Sequence, residues 1–328
     1  MGRESLMKSF VTGGAGFLGS GVVSRLLERG DDVVALARSE QSATTLTRLG
    51  AVPVRGDISD ARTLAQFLAD VDVVFHIAGD YRVGIKESDH EAMFRTNVDG
   101  TTIVLDAAIT AAVSRIVYVS TVNVFGNTRG RVVDETYERP DRSFLSYYDA
   151  TKYFAHRVAV ARAAAGAPLT IVQPGAIYGP GDHSELGAQI DQAARGKYTI
   201  RAFPELGFTM SYVDDVADGV VLAQAKGKPG ECYVLGGEVT RLGTIVDSVA
   251  DLTGHKRARI KLPSTVFKAV TPIGSLVGRA LGTGPNLHEI IRASKDVTYW
   301  ATSAKAEQEL GYAPRNLERG LLDLLAAR

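Results

Sequence analysis

The stretch KSFVTGGAGFLGSGVVSRLLERG, residues 8–30, decides the fold. Its first five residues, KSFVT, read as a short buried β-strand. From residue 16 the apolar positions recur at helical spacing until Gly30, a residue suited to close a helix. Between the two lie Gly13, Gly16 and Gly19. Glycines between a strand and its helix let the backbone turn sharply and approach a ligand closely. The helix N-terminus beyond them offers unpaired N–H groups and a positive dipole end. In this strand, loop and helix context the pattern predicts a dinucleotide pyrophosphate site.

Outward from that stretch the alternation continues. Strand patterns at 32–38, 51–58, 71–79, 114–121 and 169–175 are separated by helical patterns at 60–70, 90–112 and from about 147 to 165. Runs that are apolar on both faces and alternate with helices predict an α/β chain, a Rossmann-type doubly wound parallel sheet covered on both sides. Ligands of such a sheet gather at the carboxyl ends of its strands. After Gly175 the pattern loosens, and the spacing predicts a smaller C-terminal substrate-binding domain. The expected division is a dinucleotide-binding domain at 7–175, with a returning element at about 206–236, and a substrate-binding domain from 176–205 and 237–328. The apolar segment 264–282 is broken by Lys268, Pro272 and Arg279, and reads as one or two buried or lid helices rather than a membrane span.

Composition narrows the partners. Lys plus Arg equals Asp plus Glu at 37 each, so no overall field favours nucleic acid or anionic lipid, and a small-molecule substrate is the expected partner. Cys232 stands alone, which excludes an internal disulfide and reads as a small buried hydrophobe. With no apolar signal core near residue 1, these features predict a cytoplasmic protein. The six histidines lack ligand spacing, and no metal site is expected.

Two local features select the chemistry. The second strand ends at Ala37 and is followed by Arg38, where NAD-binding chains usually carry an acid for the ribose hydroxyls. A guanidinium pairs with a 2′-phosphate that a carboxylate would repel, so NADP(H) is the expected cofactor and NAD(H) the alternative. In YYDATK, Tyr148 and Lys152 lie four apart, on one face of a helix. The ammonium is expected to favour phenolate and lower the phenol's pKa.

The motifs TGGAGFLG, GDISD, HIAG, NVDGT, VYVSTVNVFG, YDATK, QPGAIYGPGD and YVDDVADG, closed by AKAEQELGYAP, resemble in order those of the extended short-chain dehydrogenase/reductases of the NAD-dependent epimerase/dehydratase superfamily. In style the chain is similar to dihydroflavonol-reductase-like, 3β-hydroxysteroid-dehydrogenase-like and hopanoid-associated epimerase-like members. The resemblance implies Thr121, Tyr148 and Lys152 as catalytic residues, with Tyr148 as acid/base. It implies cofactor contacts from Gly13, Gly16, Phe17, Leu18, Gly19, Arg38, Asp57, Ile58, Ala78, Gly79, Pro174 and Ala176, besides Tyr148 and Lys152. Family topology places Tyr81, Arg82, Phe144, Tyr178 and Phe203 near substrate. Asn97 matches a family asparagine of structural role, and a homodimer through the helices at 90–112 and 147–165 is the family's expectation.

Relatives that dehydrate nucleotide sugars carry two carboxylates directly after the threonine, where this chain has Val122 and Asn123. Neither side chain transfers a proton at useful pH. The arginine that clamps a nucleotide-sugar diphosphate and its neighbour are matched by Met210 and Ser211, which leaves Arg142, Arg195 and Arg201 as alternative clamps. Carbonyl reduction, or the reverse alcohol oxidation, is therefore the expected reaction. A sugar epimerase is the runner-up and a non-catalytic dinucleotide sensor the third reading.

Overall fold

Seven strands run parallel in one sheet: β1 (Lys8–Thr12), β2 (Asp32–Ala37), β3 (Val52–Arg55), β4 (Val73–His76), β5 (Arg115–Val119), β6 (Leu169–Pro174) and a last strand, Cys232–Leu235. From one edge to the other their order is Cys232–Leu235, β6, β5, β4, β1, β2, β3. The chain thus builds outward from β1 to β3, then crosses back to β4 and builds the other way. The reversal leaves a crevice at the carboxyl ends of β1 and β4, where such sheets bind ligands. The computed structural model describes residues 7–258, 260, 261 and 286–328. Segment 264–282, expected to form buried or lid helices, lies outside the described residues.

Both faces of the sheet are covered, as the continuous apolar runs require. On one side α1 (Phe17–Arg29) and helix Val213–Lys226 bury Val22, Leu26, Val216 and Val220 against Val11 and Val119. On the other, Leu64, Leu105 and Ala155, each from a different helix, pack on Phe10, Val74 and Ile116. Gly30 closes α1 with φ 94°, the left-handed conformation that costs glycine least.

The helix expected at 90–112 runs from His90 to Thr110 with one wide π turn, Arg95–Asp99. That turn presents Asn97, whose Nδ2 donates to Asp80 O (2.9 Å) and Thr151 Oγ1 (3.0 Å) while its Oδ1 accepts from Asp80 N (2.7 Å). Asn97 thereby ties the loop after β4 to helix Tyr147–Ala164.

A smaller sheet is built around strand Gly207–Tyr212, which pairs with Val239–Arg241 antiparallel and with Thr298–Tyr299 and Ala176–Tyr178 parallel. Gly207–Tyr212, expected as the start of the element returning to the main sheet, lies instead in this second sheet; only the helix and strand after it return. Its partners come from three distant segments, a pairing that local periodicity does not register. Among the described residues no helix is long and apolar enough to cross a membrane.

Candidate active site

The glycine loop is shaped by contacts that exclude side chains. Gly13 has φ +74°, and a Cβ there would lie 2.7 Å from Ala78 N. A Cβ on Gly19 would lie 2.0 Å from Gly13 O. The loop is thus pressed onto the first residues after β4 and onto the start of its own helix. Gly16 is the N-cap of α1, with no side-chain cap and no acidic residue in the first turn. The N–H end of the helix at Phe17, Leu18 and Gly19 is therefore electropositive and suited to an anion.

The other cofactor candidates surround this loop unequally. Gly79 follows Ala78, and a Cβ on it would lie 3.9 Å from Lys152 Nζ. Arg38 is exposed directly after β2. Asp57, after β3, is held below the usual carboxylate range by hydrogen bonds from Ser59 N and Ser59 Oγ, with the charge of Arg38 adding to the effect. Ile58 packs on the helix start at Gly100. Pro174 ends β6, and Ala176 pairs with Met210 in the smaller sheet and packs in the same apolar cluster as Phe17. Tight glycines, an electropositive helix end and Lys152 beside Gly79 together fit a dinucleotide.

Helix Tyr147–Ala164 starts where Ser146 Oγ accepts from Asp149 N (3.0 Å) and Glu289 Oε1 accepts from Tyr147 N (3.0 Å). Two of the orphan helix-start amides are thereby satisfied. The helix buries Tyr148 and Lys152 on its sheet-facing side. Thr121 lies two residues past β5, with its hydroxyl beside the Tyr148 phenol. Its neighbour Ser120 turns the opposite way, to His156 Nδ1 at 3.0 Å. Thr121, Tyr148 and Lys152 are thus brought together at the strand ends.

The phenol differs from the sequence expectation. Burial pushes the Tyr148 pKa well above 10, nearby Tyr81, Asp149 and Tyr118 push it the same way, and the neighbouring Thr121 hydroxyl opposes them. Lys152 makes no hydrogen bond to it: the Nζ donates instead to Val119 O (3.2 Å) and Tyr118 OH (3.4 Å). Burial lowers the Lys152 pKa to about 8. Tyr148 is therefore held as the neutral acid.

The expected substrate residues scatter. Tyr81 stands edge-on to the Tyr148 ring with centroids 4.8 Å apart, and its own side chain is exposed. Arg82 pairs with Asp80 at the mouth of the same loop. Phe144 packs against Arg139, Tyr153 and Phe154, not against Tyr148. Tyr178 is a core residue, buried edge-on to Tyr212. Phe203 sits between strands Ile200–Arg201 and Gly207–Tyr212 with φ 50°. Met210 and Ser211 are both buried, and Ser211 Oγ is used by Leu235 O (3.0 Å) and Gly175 N (3.2 Å), so neither presents a group to a diphosphate.

Sequence reading missed Asp149, Tyr299 and Tyr118, which complete the site. Asn123 Nδ2 donates to Asp149 Oδ1 (3.1 Å), and Tyr299 OH donates to Asp149 Oδ2 (3.3 Å). Tyr118 receives Lys152. Each is an ordinary residue of a strand or helix, and only their burial beside Thr121, Tyr148 and Lys152 marks them. Among the described residues no group of three or more His, Cys, Asp or Glu gathers as for a metal.

The profile described as the NAD dependent epimerase/dehydratase family matches residues 9–236. The chain is 33% identical, over 97% of its length and 96% of the relative's, to the 4-hydroxy-2-methyl-3-oxo-4-farnesyl-3,4-dihydroquinoline-1-oxide ketoreductase of Stigmatella aurantiaca. The crystal structure of gox2253 superposes with a TM-score of 0.83 at 34% identity, covering 97% of both chains. The dTDP-glucose 4,6-dehydratase DesIV of Streptomyces venezuelae, solved as a double mutant with NAD and DAU bound, superposes with a TM-score of 0.78 at 26% identity, covering 98% of this chain and 96% of that one.

Proposed function

Since the chain belongs to the NAD dependent epimerase/dehydratase family and is an enzyme of the extended short-chain dehydrogenase/reductase type, we propose that it catalyses NADPH-linked reduction of an uncharged ketone or aldehyde, or the reverse alcohol oxidation. The observation that carries this reading is the pair after Thr121. Val122 is buried among Val124, Phe125 and Val234, and Asn123 is a neutral amide bound to Asp149. The two places that would need proton-transferring carboxylates for loss of water hold none.

The bound nicotinamide dinucleotide would supply the hydride. The glycine loop and the start of α1 would hold its pyrophosphate, and Arg38 its 2′-phosphate. Lys152, beside Gly79, would hold the nicotinamide ribose. Thr121 and Tyr148 would donate hydrogen bonds to the substrate's carbonyl oxygen, stabilising the negative charge that develops on it. Tyr148, kept protonated by burial, would then give that oxygen its proton. Buried Met210 and Ser211 support a substrate without a diphosphate.

The test is a panel of ketones, aldehydes and nucleotide sugars with NADPH, followed by absorbance and by product mass. The reading expects NADPH oxidation and products two hydrogens heavier than the substrate. Products lighter by one water, or turnover of dTDP-glucose alone, would overturn it.

A further inference from the structure

Resting on the reductase reading, we propose that Asn123 and Asp149 are positioning residues that set the direction of the Thr121 hydroxyl proton, and that the charge on Asp149 selects between two settings. The chain of contacts is continuous. Tyr299 OH donates to Asp149 Oδ2, Asn123 Nδ2 donates to Asp149 Oδ1, and Thr121 Oγ1 donates to Asn123 Oδ1 at 3.2 Å. Thr121 Oγ1 also accepts from Asn123 N at 3.2 Å. Asp149 and Thr121 are buried, 1% and 7% exposed, and Asn123 between them is half-buried.

Each orientation follows from the donor inventory. An ionised carboxylate only accepts, so Asn123 must turn its NH₂ toward Asp149 and its carbonyl toward Thr121. A threonine hydroxyl has one proton, and in this setting that proton is committed to Asn123. When Asp149 is protonated it can donate to the Asn123 carbonyl, and the amide can turn over. Asn123 Nδ2 then donates to Thr121 Oγ1, and the Thr121 proton is free for a substrate carbonyl. Carbonyl polarisation therefore strengthens as Asp149 gains a proton.

Burial puts that event in an accessible range. Burial pushes the Asp149 carboxyl up to about 6, against the pull of Asn123, Arg139, Tyr299 and Ser146. The ionisable groups facing it are Tyr148 on its own helix, Tyr81 from the loop after β4, Arg139 from the segment before the helix and Tyr299 from the smaller sheet. Of these Arg139 is the one cation, and the other three are phenols.

Two measurements on the full chain test this. With NADPH and acetophenone or ethyl acetoacetate as probe ketone, wild-type kcat should rise about fivefold as pH falls from 7.5 to 5, one ordinary hydrogen bond's worth. The rise should vanish in Asp149→Asn and in Asn123→Leu, with KM for NADPH unchanged in both. An identical rise in either variant overturns the relay. Independently of turnover, infrared difference spectra should show a carboxyl C=O band titrating near pH 6 that is absent in Asp149→Asn and displaced in Asn123→Leu. No such band, or one unmoved by Asn123→Leu, also overturns it. Should no carbonyl oxidise NADPH, the reductase reading fails, and the infrared result alone decides the relay.

Discussion

The two ends of the candidate site are built by opposite means. The cofactor end is made of backbone: Gly13, Gly16 and Gly19, the amide end of α1 and the main chain at Ala78. The reacting end is made of side chains from separate segments, Tyr81, Thr121, Asn123, Tyr148, Asp149 and Tyr299. The first has no room for an added atom at Gly13 or Gly19, and the second depends on which atom holds which proton. Steric changes should therefore act on the cofactor end and charge or donor changes on the reacting end.

The largest effect that sharpens this contrast is steric. Gly19→Ala would put a methyl 2.0 Å from Gly13 O. Displacing that loop should raise the dinucleotide Kd roughly 10- to 100-fold, the cost of an overpacked contact. Isothermal titration checks it, and unchanged affinity would break the comparison. Next is the proposed Arg38 contact, which rests on charge. Arg38→Ala should raise KM for NADPH about tenfold, the loss of one charge-assisted pair, and leave KM for NADH alone. Equal effects on both cofactors would remove the NADP(H) assignment.

The smallest effect concerns two imidazoles that border the reacting end and take no part in the proposed chemistry. Burial lowers His76 to about 3 and His156 to about 4. A base whose folded pKa is depressed binds fewer protons folded than unfolded. Its stability contribution is complete above the ordinary imidazole value and is lost as pH falls from roughly 6.5 toward 4. Asp149, raised to about 6, works with the opposite sign between the ordinary carboxylate value and 6. Two imidazoles against one carboxyl should leave Tm falling on acidification. His156→Gln should reduce that fall by roughly 2 to 4 °C in a pH series of thermal melts.

The same contrast explains what was legible in the sequence. Backbone demands leave residue types behind at fixed spacing, so the glycine loop and the order of strand and helix could be read from residues 8–30 outward. Tyr148 and Lys152 share one helix face and were legible for that reason. Asp149 follows Tyr148 directly, yet nothing local says that its carboxyl is buried against Asn123 and Tyr299, residues 26 and 150 positions away. The sign of the Tyr148 shift was misread on the same ground. Spacing put an ammonium nearby, but Val119 O and Tyr118 OH receive it, and burial dominates the phenol. Tyr178 was aromatic and close to the site by topology, while packing on Tyr212 made it core. The strand Gly207–Tyr212 was not legible because its pairing partners are remote.

The central claim is that Tyr148 donates the proton at a site whose dinucleotide contacts are otherwise independent of it. Tyr148→Phe removes one oxygen and keeps the ring against Tyr81. With NADPH and the best carbonyl of the panel, kcat should fall about 100-fold or more while the NADPH Kd stays within twofold, the mark of a lost general acid. A variant that keeps more than about a tenth of wild-type kcat would contradict the account.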